Sequence, residues 1–232
     1  MSVDFCTYCY EGDIHKLRKN YIDIVDSHRY NFDKVIIIQQ NCMGMNLPGV
    51  PGVKLVSSEE HPNILTEFGV PEEDPVADEI SHGPNAAHYW KKHLTNHLTG
   101  LKVSTADYIV FCDSDCFILR QPENLNWIDE AINHLVKHKD CLVVSPSDGT
   151  AGPTDIMSQQ LFICNRKRLK EIDWNCWDGN YIDGGPMQEY YVMAEGRIGM
   201  YMKYNNLYRQ ILDPSFRYWH SIEEHPIPKE LL

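Results

Sequence analysis

Continuous apolar runs in this chain alternate with stretches whose apolar positions recur every three or four residues. Val3 to Tyr10 is an apolar and aromatic run, predicted as a strand, that breaks at Glu11-Gly12-Asp13. From Asp13 to His28 the positions Ile14, Leu17, Tyr21, Ile24, Val25 and His28 keep helical spacing and predict an amphipathic helix. Lys34 to Gln40 (KVIIIQQ) is too continuously apolar to be half exposed, so it reads as a parallel strand covered on both faces. Val53 to Val56 is a short third strand. Residues 57–84 carry Pro62, Pro71, Pro75 and Pro84 among acidic residues, which predicts a surface excursion able to act as a lid. Ala87, Trp90, Leu94, Leu98 and Leu101 then mark a second helix, with Pro84 at its entry, and YIVFCD (Tyr108 to Asp113) follows as a strand. The order β-α-β-β-α-β predicts a doubly wound α/β sheet, whose ligands bind at the carboxyl ends of the strands.

The second half has shorter elements. CFILR after Asp115 reads as a strand, and Ile128, Ala131, Ile132 and Leu135 mark a helix from about Asn126 to Lys137. CLVVSPS and QQLFICNR are further strands, Pro186 and Gly196 bracket a helix holding Glu189, and IGMYM, YRQIL and FRYWH read as short closing strands. Neither a repeat nor a low-complexity tract interrupts the pattern, and one domain over 1–232 is the expectation at this length.

One apolar strand ends in two carboxylates. Asp113 and Asp115 flank Ser114, and like charges beside a core are costly unless something compensates them. On an extended chain residues i and i+2 share a face of the sheet, so convergence on one point needs only a turn at Ser114. A hard divalent ion is the compensation these groups fit, since it takes few carboxylates and completes its shell with water and phosphate oxygens.

Composition narrows the partners. Lys and Arg number 21 against 33 Asp and Glu, a net charge of -12, which disfavours nucleic acid or an anionic membrane surface. A small anion stays possible because a metal locally reverses the field. No basic-then-apolar leader opens the chain, and no apolar run approaches the roughly 20 residues of a membrane span. The eight cysteines are scattered, several of them in strand-like runs, and read as reduced core thiols of a cytoplasmic protein.

YIVFCDSDCFI resembles the DxD motif of nucleotide-sugar glycosyltransferases of the GT-A fold (family-2-like): apolar strand, Asp-x-Asp, short apolar strand. The element order up to Ile118 agrees, and FRYWHS sets His220 on a late strand, where this family often places a further metal ligand. The resemblance implies a mixed sheet of GT-A type, with 1–118 binding the nucleotide sugar and 119–232 the acceptor. It implies Mn²⁺ or Mg²⁺ with Asp115 as the stronger ligand, Asp113 ligating through water or contacting the ribose, and His220 completing the protein ligands. Thr7, Tyr8 and Tyr10 would cradle base and ribose. The second strand ends in Gln39-Gln40-Asn41 where many relatives carry an acid, so Gln40 stands at that position and the base is unassigned. Inversion needs a general base, and GGPMQEYYVMAEG supplies Glu189 early in a late helix, with Asp183 as the alternative.

Lys92, with Lys91, His93 and His97, either meets the diphosphate or forms a solvated helix face opposite Trp90. Trp174, Trp177 and Tyr181 suit either an acceptor-sugar platform or ordinary packing. A haloacid-dehalogenase-type phosphatase would open with its DxD and continue with Thr or Val where this chain has Phe117. A sugar nucleotidyltransferase would carry a Gly-rich basic loop after the first strand, where TYCYEGDIHK has one glycine and two acids. A non-catalytic nucleotide- or sugar-binding module is the alternative outside enzymes.

Overall fold

The computed structural model describes residues 1–10, 14–40, 53–74, 89–154, 156–158, 160–176 and 193–220. β1 (Val3–Tyr10) leads to α1 (Ile14–Ser27), which buries Leu17, Tyr21 and Ile24, and Arg29 takes a left-handed φ of 49° as the chain turns back. β2 (Lys34–Gln40) and β3 (Val53–Ser57) follow, both parallel to β1 in the order β3-β2-β1. Within the excursion a 3-10 turn, Ser58–Glu60, and the short helix α2 (Ile64–Glu67) bury Ser58, Ile64 and Leu65.

Helix α3 (Tyr89–Val103) returns the chain to β4 (Tyr108–Cys112), which pairs parallel to β1 and is buried along its whole length. Trp90, Leu94, Leu98 and Leu101 are fully buried, each stabilising the fold by about 1.5–3 kcal/mol. The histidines of this helix do not form the solvated face that the charges at 91 and 92 suggested. His93 and His97 are 8% and 1% exposed, because 90, 93, 94, 97, 98 and 101 are a single 3–4 spaced stripe. Gly100 lies on the same side, where an added Cβ would sit 2.8 Å from Cys6 Sγ and 2.9 Å from Phe111 Cε1. The missing side chain lets the helix approach the sheet this closely.

Beyond β4 the strands change direction. The sheet runs β3-β2-β1-β4-β8-β6-β9-β7, with β6 (Cys141–Ser145), β7 (Gly152–Thr154), β8 (Leu161–Asn165) and β9 (Tyr208–Ile211). β8 is antiparallel to both β4 and β6, so β6 and β9 point the same way as β4. Between β5 (Phe117–Arg120) and β6 lies α4 (Trp127–Lys137), where Asn126 Oδ1 accepts from the Ile128 N–H at 2.9 Å. Asp129 and Glu130 in its first turn and Lys137 in its last complement the helix dipole. The short α5 (Arg166–Lys170) and the three-residue β7 were not anticipated from the sequence.

One predicted strand is a helix. IGMYM belongs to α6 (Ala194–Tyr204), and Gly196 lies inside it rather than closing a preceding helix. The alternation of Ile198, Met200 and Met202 imitated a strand, and the polar residue at 197 masked the helical stripe. Arg197 is fully buried: its Nη1 donates to Trp174 O at 2.8 Å and its guanidinium lies 5.2 Å from the Trp90 ring centroid. Trp174 itself is 1% exposed and edge-on to Phe68, so it packs in the core and is no sugar platform; Trp177 and Tyr181 lie outside the described residues.

A second, two-stranded sheet pairs β5 with β10 (Arg217–Trp219) antiparallel, Trp219 opposite Phe117 and Tyr218 opposite Ile118. β10 is also tied to the end of β6, where Ser147 N–H donates to Phe216 O at 2.7 Å and Tyr218 N–H to Ser147 O at 3.0 Å. Among the described residues no helix is long and apolar enough to cross a membrane.

Candidate active site

β1 pairs with β2 on one side and β4 on the other, so the strand order reverses between β1 and β4, and the carboxyl ends there form the crevice favoured for ligands. The β1–β4 register ends at Thr7 opposite Cys112, so Tyr8 to Tyr10 run on past the point where β4 gives way to Asp113.

The acidic pair sits in a tight turn. Cys116 N–H donates to Asp113 O at 3.2 Å, reversing the chain across Ser114 and Asp115, and Asp113 N–H donates to Gln160 O at 2.8 Å. Continuing the β5–β10 register by one residue sets His220 beside Cys116, and this delivers the imidazole to the turn. His220 Nε2 lies 3.1 Å from Asp115 Oδ1 and 3.8 Å from Asp113 Oδ2. The side chains are partly exposed, 23% for Asp113, 19% for Asp115 and 31% for His220, so the cluster is open to a ligand. The structure thus brings together the three residues that the sequence resemblance named as metal ligands.

Gln160 completes the arrangement. Tyr218 hydroxyl donates to Gln160 Oε1 at 3.0 Å, and Gln160 Nε2 lies 3.4 Å from His220 Nδ1. Sequence reasoning passed over this residue, since a glutamine ahead of a strand carries no signal of its own.

The donor set can be tested against an ion. Asp113, Cys116 and His220 place ligand atoms all within 4.8 Å of one another, which offers a thiol as a third ligand. Cys116 is fully buried, and burial, with its Cys112 neighbour and the two carboxylates, pushes its thiol well above the ordinary range. A protonated thiol suits a hard ion poorly, whereas two carboxylates and an imidazole suit Mn²⁺ or Mg²⁺ and leave positions for phosphate oxygens. Cys112 is raised as well, chiefly by burial, with Asp113 and Asp115 again contributing. The donor chemistry of Asp113, Asp115 and His220 therefore fits the ion, while among the described residues the ligand atoms that already lie within 4.8 Å of one another are those of Asp113, Cys116 and His220.

The other predicted residues are placed as follows. Thr7 and Tyr8 are buried at 2% and 3%, and the Tyr8 ring packs against His97 (centroids 4.6 Å apart) and Phe111 (6.2 Å). Tyr10 and Gln40 end β1 and β2 side by side in the parallel register. Lys92 is exposed on α3 and makes no ion pair among the described residues. Glu189 and Asp183 lie outside the described residues.

No protein-family model matches this chain, and no curated protein matches it significantly. Solved structures do. TarS 1–349 of S. aureus superposes with a TM-score of 0.54 at 15% identity, covering 97% of this chain and 61% of that one. The galactosyltransferase LgtC with donor and acceptor sugar analogs gives 0.40 at 10% identity, over 90% of this chain and 73% of the other. Glucosyl-3-phosphoglycerate synthase of Mycobacterium tuberculosis, with Mn²⁺, UDP-glucose and phosphoglyceric acid, gives 0.39 at 14% identity, over 72% and 57%. The chain spans 61% of the length of the TarS chain it matches. Its mixed sheet flanked by helices has the GT-A glycosyltransferase fold.

Proposed function

We propose that this chain transfers a sugar from a nucleotide diphosphate sugar to the hydroxyl of a saccharide or other acceptor, with Mn²⁺ or Mg²⁺ held by Asp113, Asp115 and His220. The observation that carries this reading is the convergence of His220 on the Asp113-Ser114-Asp115 turn at the β1–β4 switch point of a GT-A fold. When bound, the ion supplies charge neutralisation to the departing diphosphate. Asp113, Asp115 and His220 would hold the ion at the diphosphate end of the donor. Of the residues named for the base and ribose, Tyr10 ends β1 beyond its pairing with β4 and Gln40 ends β2 beside it, whereas Thr7 and Tyr8 are buried in the core and would contribute there only through their backbone. Lys92 is assigned to the donor's phosphates only as an exposed cation of α3. Inversion would give the acceptor proton to Glu189 or, in its place, Asp183.

We read the chain as one domain, 1–118 binding the donor and 119–232 the acceptor, which the single sheet running through both parts supports. The free thiols of the buried cysteines support a reducing, cytoplasmic setting.

The test is a thermal-shift screen of UDP, GDP, CMP and dTDP and their sugars, with and without Mn²⁺, on wild type and Asp115→Ala. A ligand at a hundredfold excess over its Kd stabilises the folded state by about 2.7 kcal/mol. The expected outcome is a shift with one nucleotide that needs Mn²⁺ and is lost in the variant. A folded wild type that shifts with none of them would sink the donor-site reading.

A further inference from the structure

Gln160 touches both Asp113 and His220 of the acidic cluster without belonging to it. Its carbonyl oxygen accepts from the Asp113 N–H at 2.8 Å, so its main chain holds the turn. Its side chain spans β8 and β10, with Oε1 3.0 Å from the Tyr218 hydroxyl and Nε2 3.4 Å from His220 Nδ1. Tyr218 is 4% exposed and Gln160 half-buried, so this amide lies mostly out of bulk water.

The direction of these bonds has chemical content. An amide nitrogen only donates, so Gln160 Nε2 faces an accepting Nδ1, and a neutral His220 then carries its proton on Nε2. That nitrogen is the one aimed at Asp115 Oδ1, 3.1 Å away, and at Asp113 Oδ2, 3.8 Å away. With no ion, the Nε2 proton is donated to Asp115 Oδ1, and Asp113 Oδ2 lies beyond hydrogen-bond distance. A metal ligand needs the opposite tautomer, with a lone pair on Nε2 and the proton on Nδ1, and that proton must find an acceptor.

Resting on the reading of Asp113, Asp115 and His220 as the ion site, we propose that Gln160 is the positioning residue that sets the His220 tautomer, turning its amide over as the ion enters. After the turn Oε1 accepts from Nδ1–H, and Nε2 donates to the Tyr218 oxygen. The Tyr218 hydroxyl proton then turns to Ser158, whose hydroxyl sits where it stabilises the Tyr218 oxygen and must rotate to accept in its place. No proton is gained or lost in the exchange; it moves from one ring nitrogen to the other. Among side chains of this length only an amide serves both states: a carboxylate accepts in both, and a thioether does neither usefully.

The experiment measures Mn²⁺ binding directly, by the loss of the free-ion electron paramagnetic resonance signal, for wild type, Gln160→Met and Gln160→Glu. In parallel, the ring nitrogens of His220 are followed by ¹⁵N NMR in alkaline buffer, metal-free and with Zn²⁺ as a diamagnetic probe. The His220 signals are identified by their loss in His220→Asn. The expected result is that Gln160→Met binds Mn²⁺ at least about tenfold more weakly, while Gln160→Glu retains affinity. In wild type His220 is expected as the Nε2–H tautomer without metal and Nδ1–H with it, and Gln160→Glu holds Nδ1–H in both. A wild type that binds Mn²⁺ no better than Gln160→Met would overturn the role of Gln160 and leave the ion site standing. So would a metal-free wild type already in the Nδ1–H form, an outcome that needs no variant to fold. A wild type that does not bind Mn²⁺ at all, with or without UDP, would overturn the ion site and this proposal together.

Discussion

Strands β1 to β4 and strands β6 to β10 meet at one seam but are assembled by different means. On the first side every pairing is parallel, β2 reaching β1 over the single helix α1 and β4 reaching it with Tyr108 opposite Val3, and the buried residues form local runs such as Ile36 to Ile38 and Ile109 to Cys112. On the second side strands of three to five residues find partners far along the chain: β6 takes β9, and β5 takes β10. The carboxylates come from the first side and the imidazole from the second. Binding chemistry thus needs both sides, including the one with the weaker local signal.

Removing the anchor of the second side gives the largest effect. Phe216 is 6% exposed, packs in the cluster that holds Cys116, Ile118 and Tyr218, and precedes β10. Phe216→Ala is expected to cost about 3–5 kcal/mol in urea unfolding and to weaken Mn²⁺ binding as well, because β10 carries His220. Equal Mn²⁺ affinity in the folded variant would mean that β10 is held by its pairing with β5 alone.

Overpacking the first side should separate the two properties. Gly100→Ala forces a Cβ against Cys6 and Phe111 and is expected to cost about 1–3 kcal/mol, with Mn²⁺ affinity of the folded protein unchanged. A matching loss of affinity would show that the helix α3 contact, and not only β10, shapes the turn.

Acid provides a third and gentler separation. Burial pushes His28 and His97 down to about 3 and His93 to about 4, and all three pack against the parallel side. The folded state therefore refuses protons that the unfolded chain accepts near its ordinary value of about 6.5. Stability is full above that value and falls as pH drops below it, by about 1.4 kcal/mol per pH unit per histidine, flattening near the folded values. Chemical unfolding from pH 8 to 5 should show this slope. His28→Gln should reduce it, since the His28 Nδ1 that accepts from Trp127 Nε1 at 3.1 Å belongs to one of the three groups.

The same contrast explains what could be read from the sequence. The order of β1 to β4, the helices α1, α3 and α4, and the Asp113-Ser114-Asp115 turn were legible because each is written in adjacent residues. His220 was legible only through a family pattern, since nothing near FRYWH points to a carboxylate a hundred positions away. β7 was not, because Gly152-Pro153-Thr154 has neither length nor alternation, and α6 was misread because a buried arginine stands in its apolar stripe. The inward histidines of α3 looked polar and are core. Gln160 acts through geometry alone.

The pairing of β5 with β10 also sets an order in time. Both carboxylates can be in place once β4 has joined β1, yet the imidazole arrives only after the chain from residue 115 to residue 220 has been gathered in. The β1–β4 pairing closes a separation just as long, Val3 with Tyr108, so the order comes from synthesis and not from loop closure. A nascent chain, made from its N-terminus, carries the acidic turn before the strand that bears its third ligand has been made. Competence for the ion is a signal that folding has finished.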